Sequence, residues 1–123
     1  MARLLLIEDD AQMRGMLGTT LREAGHQVIE AQDGQSGIRS LRSETVDLVL
    51  TDILMPGQDG LEVIAEARAS APHVPVVAIS GGGRGFGPHD TLRVARQCGA
   101  TRVLAKPFSL ADLLRTVDNL VPA

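Results

Sequence analysis

Four short apolar runs in this chain end in residues that can do chemistry. Glu8, Asp9 and Asp10 follow Leu4–Ile7, and Thr51 and Asp52 follow Val46–Leu50. Ser80 follows Val76–Ile79, and Lys106 follows Val103–Leu104 with only Ala105 between. Brought to one place, these residues form a cluster of carboxylates, a hydroxyl and an ammonium. Crowded carboxylates repel unless a cation or a proton intervenes, and hard oxygen donors with room for water suit Mg²⁺. A metal beside a carboxylate neutralises an incoming phosphoryl group, which lets that carboxylate attack phosphorus. Ser80 and Lys106 could then hold two phosphoryl oxygens. Eleven of the twelve basic residues are arginine, so Lys106 is the only lysine. Lysine offers a compact point charge where arginine offers a broad fork.

These groups meet only if the runs are neighbouring strands that point the same way. Val28–Ile29 is a further apolar run, and stretches of helical period separate the five. Met13, Leu17, Leu21 and Ala24 form one helical face, closed by Gly25. Ile38 and Leu41 form a second, and Leu61, Ile64 and Ala65 begin a third. Leu92, Ala95 and Cys98 form a fourth, closed by Gly99, and Leu110, Leu113, Leu114, Val117 and Leu120 form the clearest stripe. Ser109 with Asp112 reads as a capping box for that last helix. The pattern is strand–helix repeated five times, which implies a parallel sheet with helices on both faces and right-handed crossovers. In such sheets ligands bind beyond the carboxyl ends of the strands, where the polar residues fall.

A chain of 123 residues, 44% of them hydrophobic, fits one domain spanning 1–123. The net charge of −3 argues against nucleic acid as a direct partner. No apolar run approaches the ~18 residues of a membrane span, and Leu4–Ile7 is too short for a signal-peptide core. Cys98 is the only cysteine, which excludes an internal disulfide and a cysteine-based metal site. A cytoplasmic protein with no membrane partner is expected.

The motifs Glu8-Asp9, Asp52-Ile53-Leu54-Met55-Pro56 with Gly60 beyond, Ser80, and Lys106-Pro107-Phe108 stand in order along the chain. In this set the sequence resembles a response-regulator receiver domain of two-component signalling, of the single-domain type, over essentially its whole length. The resemblance implies an α/β fold: a flavodoxin-like (βα)5 doubly wound sandwich with a five-stranded parallel sheet in the order 2-1-3-4-5. It implies that Asp52 is the phosphoacceptor, taking a phosphoryl group from a phosphohistidine on a histidine kinase or a histidine phosphotransfer protein. Asp9, Glu8, Asp52 and the backbone carbonyl of Leu54 would hold Mg²⁺. Ser80 would move toward the phosphoryl group, Lys106 would pair with it, and the Lys106–Pro107 peptide would be cis. Such a domain is a signalling element that promotes its own phosphorylation and dephosphorylation, not an enzyme acting on other molecules. It passes its signal to a downstream protein by contact, here through the face formed by segments 92–98, 103–104 and 110–120. The chain stops soon after the last helical stripe, so no output domain is expected, although an excised piece of a larger regulator would read the same way.

Two features depart from the family pattern. Val103 stands where many receivers carry an aromatic three residues before the lysine, so a rotating-aromatic switch cannot operate there. The stretch Gly81–Pro88 is rich in glycine and reads as loop, with Arg84 and Phe86 expected to take over that readout. Leu54 and Gly82 flank the place where the family tunes access of the hydrolytic water, and neither side chain could position it.

Other functions fit less well. Haloacid-dehalogenase phosphatases also use a strand-end aspartate, but with a second acid two residues on, where this chain has Leu54. A flavodoxin would bring a phosphate against the acids after the first strand. The glycine-rich stretch lacks the Gly-Lys-Ser/Thr ending of a P-loop. Asp10 reads as a helix cap, Asp47 as structural, and Asp33 and Asp59 as turn residues beside glycine. His26, His73 and His89 read as surface residues, Met13, Met16 and Cys98 as core or half-buried, and the arginines as solvated surface.

Overall fold

A computed structural model of the chain describes residues 2–53, 60–80 and 99–121. Strands β1 (Arg3–Ile7), β2 (Gln27–Ala31), β3 (Leu48–Asp52), β4 (Val76–Ser80) and β5 (Arg102–Ala105) form one parallel sheet in the order β2-β1-β3-β4-β5. Helices α1 (Ala11–Glu23), α2 (Gly34–Ser43), α3 (Gly60–Ser70) and α4 (Leu110–Leu120) complete the described elements. The expected order 2-1-3-4-5 is therefore found. The predicted helix over Leu92–Cys98 and the glycine-rich stretch 81–88 lie outside the described residues, as do Leu54, Asp59, Gly82, Arg84, Phe86 and His89.

The central strands are apolar for a physical reason. All five residues of β3 and of β4 are buried, as expected when helices cover both faces of a parallel sheet. Side chains alternate between the faces. Leu5 and Ile7 join a core with Ile38, Leu41, Val63, Ile64 and Ala67 on α2 and α3. Leu4 and Leu6 join one with Leu17, Leu21, Leu113 and Val117 on α1 and α4. The edge strand β2 runs from Gln27 to Ala31, beyond the apolar pair Val28–Ile29, and its exposed positions carry the polar Gln27 and Glu30.

Caps set where the helices begin. Asp10 Oδ1 accepts the backbone N–H groups of Gln12 and Met13 at 2.9 and 3.2 Å, which starts α1 directly after the acidic run. Gly25, at φ +100°, stops it in the left-handed region that favours glycine. Ser109 Oγ accepts the Asp112 N–H at 3.0 Å, as the capping box predicts. Asp33 is more than a turn residue, since its Oδ1 accepts the Ser36 N–H at 2.7 Å and caps α2. Asp47 is structural as expected: its Oδ2 accepts the Arg3 N–H at 2.8 Å.

Three readings of helix faces and histidines are corrected. Met16 is 47% exposed, because it lies off the Leu17–Leu21 stripe of α1. Ala65 is exposed and Val63 and Ala67 are buried instead, so the inner face of α3 is rotated from the Leu61–Ala65 reading. The His26 side chain is only 7% exposed. Its Nδ1 accepts the Ala2 N–H at 3.2 Å, and its Nε2 lies 3.8 Å from Asp118 of α4. A contact 92 residues away in sequence left no local signal that this histidine is covered.

Candidate functional site

The carboxyl ends of β1, β3, β4 and β5 converge on one edge of the sheet. The register places β1 beside β3, with Ile7 against Thr51, and β3 beside β4, with Asp52 against Ile79. Glu8 and Asp9 therefore follow β1 next to Asp52. Ser80 pairs in register with Ala105, and the Lys106 N–H donates to the Ser80 carbonyl at 2.7 Å. The Lys106–Pro107 peptide is cis, as the resemblance implies. Of the sequence-predicted site residues, Glu8, Asp9, Asp52, Ser80 and Lys106 are gathered at this edge. Leu54 lies outside the described residues.

One carboxylate oxygen from each of Glu8, Asp9 and Asp52 lies within 4.8 Å of the other two. Glu8 and Asp52 are buried and Asp9 is exposed. Lys106 Nζ donates to Asp52 Oδ2 at 3.1 Å and stands 3.5 Å from Glu8 Oε1. The second distance is an ion pair but too long for a good hydrogen bond, and Glu8 Oε1 has no hydrogen-bond partner among the described residues. Glu8 Oε2 is held by the Asp10 N–H at 3.1 Å. Ser80 Oγ is buried and also has no hydrogen-bond partner among the described residues. Buried polar groups are normally paired, so two orphan oxygens at one edge call for a bound group.

The electrostatics follow from burial and crowding. Burial, with Asp9 and Asp52 adding to it, pushes the Glu8 carboxyl up to about 7 against the opposing pull of the Asp10 amide and Lys106. Burial works against the Lys106 ammonium, but the hydrogen bond and charge of Asp52, followed by Glu8, outweigh it and raise its pKa. The site therefore holds three acids against one ammonium. An all-oxygen donor set with an unsatisfied buried carboxylate oxygen fits a hard divalent cation such as Mg²⁺.

The backbone beneath Asp52 is fixed by close packing. The Gly60 N–H donates to the Ile53 carbonyl at 3.0 Å, and the Ile53 N–H donates to the Ile79 carbonyl at 3.0 Å. A Cβ on Gly60 would collide with the Asp52 carbonyl oxygen and come within 2.7 Å of Ile53 Cα. Backbone atoms cannot rotate away, so Gly60→Ala is expected to cost about 3 kcal/mol, the upper end for overpacking. Denaturant unfolding followed by circular dichroism measures this cost, and a loss below about 1 kcal/mol would mean that α3 slides freely.

Sequence reasoning missed Arg14, which it grouped with solvated arginines. Its Nη1 donates to the Glu8 carbonyl at 2.7 Å. The signal for it was its position, one helical turn after the capping Asp10 and so close to the acidic run.

Comparisons with known proteins point to one family and one fold. The family described as response regulator receiver domain matches residues 4–118. The chain is 36% identical over 120 residues to the transcriptional regulatory protein PdtaR of Mycobacterium tuberculosis, covering 97% of this chain and 56% of that protein. It thus spans about half the length of that relative. It is 36% identical over 125 residues to the response regulator receiver protein CpdR of Brucella abortus, covering 100% of this chain and 99% of CpdR. The solved structure of Vibrio cholerae chemotaxis protein CheY4 matches with a TM-score of 0.86 at 27% identity, over 98% of this chain and 99% of that one.

Proposed function

Since this chain belongs to the response regulator receiver domain family of two-component signalling, we propose that Asp52 accepts a phosphoryl group from a phosphohistidine. The donor is a histidine kinase or a histidine phosphotransfer protein. A carboxylate oxygen of Asp52 attacks phosphorus, the phosphorus–nitrogen bond breaks, and the imidazole leaves as the neutral ring after taking up a proton. One observation carries the reading: Asp52 is the carboxylate that touches the Lys106 ammonium at 3.1 Å while two other acids stand within 4.8 Å.

Each residue then has a task. Glu8, Asp9, Asp52 and the Leu54 carbonyl would hold Mg²⁺, which supplies positive charge to the transferring phosphoryl oxygens. Lys106 moves its ion pair from the Asp52 carboxylate to a phosphoryl oxygen. Ser80 donates its hydroxyl proton to another, satisfying a group that is otherwise buried without a partner among the described residues. The domain spans 1–123 and works as a signalling element in the cytoplasm, not as an enzyme on outside substrates. It passes its state to a downstream protein by contact, with neither nucleic acid nor membrane as a direct partner. Among the described residues no helix is long and apolar enough to cross a membrane.

The test is intact mass after incubation with acetyl phosphate and Mg²⁺. One added phosphoryl group is expected, absent in Asp52→Asn and without metal. If no adduct forms, and beryllofluoride with Mg²⁺ moves no NMR resonance at Asp52, Ser80 or Lys106, the reading is wrong.

A further inference from the structure

Strands β1 and β2 end together, and the chain runs on from β1 into the acidic segment. The last register pair is Ile7 with Ala31, and the Glu8 N–H still reaches the Ala31 carbonyl at 3.0 Å. Beyond Ala31 the chain turns into the Asp33 cap of α2, so β2 offers no further ladder donor. The Glu8 carbonyl belongs to the peptide group that joins Glu8 to Asp9. Arg14 Nη1 donates to it at 2.7 Å.

The guanidinium is itself held. Only 19% of the Arg14 side chain is exposed, and its Nε lies 3.6 Å from Glu30 Oε1 on β2. Glu30 Oε2 pairs with Arg22 Nη1 at 2.7 Å, and Arg22 Nη2 donates to the Val28 carbonyl at 3.1 Å. Gly18 makes room for this cluster, since a Cβ there would come 2.9 Å from Glu30 Oε2. A fixed fork with two anchoring points defines the plane of the peptide it bonds.

We infer that Arg14 is a positioning residue for the metal-binding acids, a role that rests on the function proposed above. It replaces the ladder partner that β2 no longer supplies and so fixes the Glu8–Asp9 peptide, from which two of the acids project. Outer groups that orient metal ligands commonly control affinity.

The sign of the effect separates this role from a simple charge effect. A guanidinium near a cation site repels the cation, so loss of its charge alone would tighten Mg²⁺ binding. Loss of positioning weakens it. The chain has no Trp or Tyr, so the titration is followed by amide NMR. Arg14→Gln is expected to raise the Mg²⁺ Kd about tenfold, the low end for outer-shell partners, with Arg14→Lys intermediate. Arg22→Gln, which reaches Glu8 only indirectly through Glu30 and Arg14, is expected to raise the Kd by clearly less than Arg14→Gln. Without metal, the Glu8 carbonyl carbon and the Asp9 amide should shift in Arg14→Gln and move less in Arg22→Gln.

An unchanged or tighter Kd in folded Arg14→Gln overturns the inference, as does an equal loss in Arg22→Gln. If Arg14→Gln fails to fold, Arg14→Lys decides: a Kd equal to that of the unsubstituted chain overturns it. Failure of the unsubstituted chain to bind Mg²⁺ would instead refute the function proposed above, and this role with it.

Discussion

Glu8→Gln is expected to stabilise the metal-free protein by about 3 kcal/mol at pH 8 while weakening its hold on Mg²⁺. The Glu8 carboxyl is pushed from 4.5 to about 7 by burial, with Asp9 and Asp52 adding to it. Below pH 4.5 the residue is protonated in both the folded and the unfolded chain and contributes no pH dependence. Between 4.5 and about 7 the folded protein keeps a proton that the unfolded chain has released, so stability falls as pH rises. Above about 7 the full penalty is present. Glutamine keeps the shape and the acceptor for the Asp10 N–H and has no charge to bury. Asp33, Glu66 and Asp112 have carboxyls held below their ordinary range by hydrogen-bonding partners. Their stabilisation is lost only as pH falls through that lower range, so they do not mask the Glu8 slope. Urea unfolding at pH 5 and pH 8, without metal and read by circular dichroism, makes the measurement. Equal stability of the unsubstituted chain at the two pH values, with no gain in Glu8→Gln, would show that the buried carboxyl is not strained.

Lys106→Met is expected to act in the opposite direction on both quantities. Removing one partner of a buried pair leaves the other charge uncompensated. Lys106 is 26% exposed on its side chain, so solvent screens part of the loss, and a cost of about 2 kcal/mol at pH 8 follows. The cost should shrink at pH 5, where a protonated Glu8 no longer repels Asp52. The ammonium lies 3.1 Å from Asp52 and 3.5 Å from Glu8, in the region a metal ion would share. Its removal should therefore lower the Mg²⁺ Kd. Parallel magnesium titrations and denaturation curves check both halves. A variant that is destabilised and also binds Mg²⁺ more weakly would mean that Lys106 supports the metal site instead of competing with it.

The sequence made the site legible because chemistry and topology coincide at strand ends. Asp52, Ser80 and Lys106 each terminate or follow an apolar run, and parallel order carries those ends to one edge. The central strands were equally plain, since a short continuous apolar run such as Val76–Ile79 suits a strand covered on both faces. What escaped was whatever depends on distant partners. His26 is covered through contacts with Ala2 and Asp118, and nothing beside it in sequence indicates that. Arg14 is one of eleven arginines, and only the end of the β1–β2 ladder beside Glu8 shows why its guanidinium is needed. The Gln27–Ala31 strand was underestimated because an edge position tolerates Gln27 and Glu30, which blur the apolar signal. The elevated Glu8 carboxyl reflects burial that arises only when β1 is enclosed by its neighbours.

The positions of the site residues along the chain also bear on how the protein assembles in time. Glu8, Asp9 and Asp52 all lie within or directly after the first three strands, whereas the ammonium that offsets them comes 54 residues after Asp52. During synthesis, strands β1 to β3 leave the ribosome before β5, so a route in which they pair first is open to the chain. Any such route brings three acids together ahead of their internal counterion. A divalent cation from the medium can bridge that interval. Nascent and refolding chains should therefore be more sensitive to Mg²⁺ than the finished protein, in which Lys106 already occupies its place.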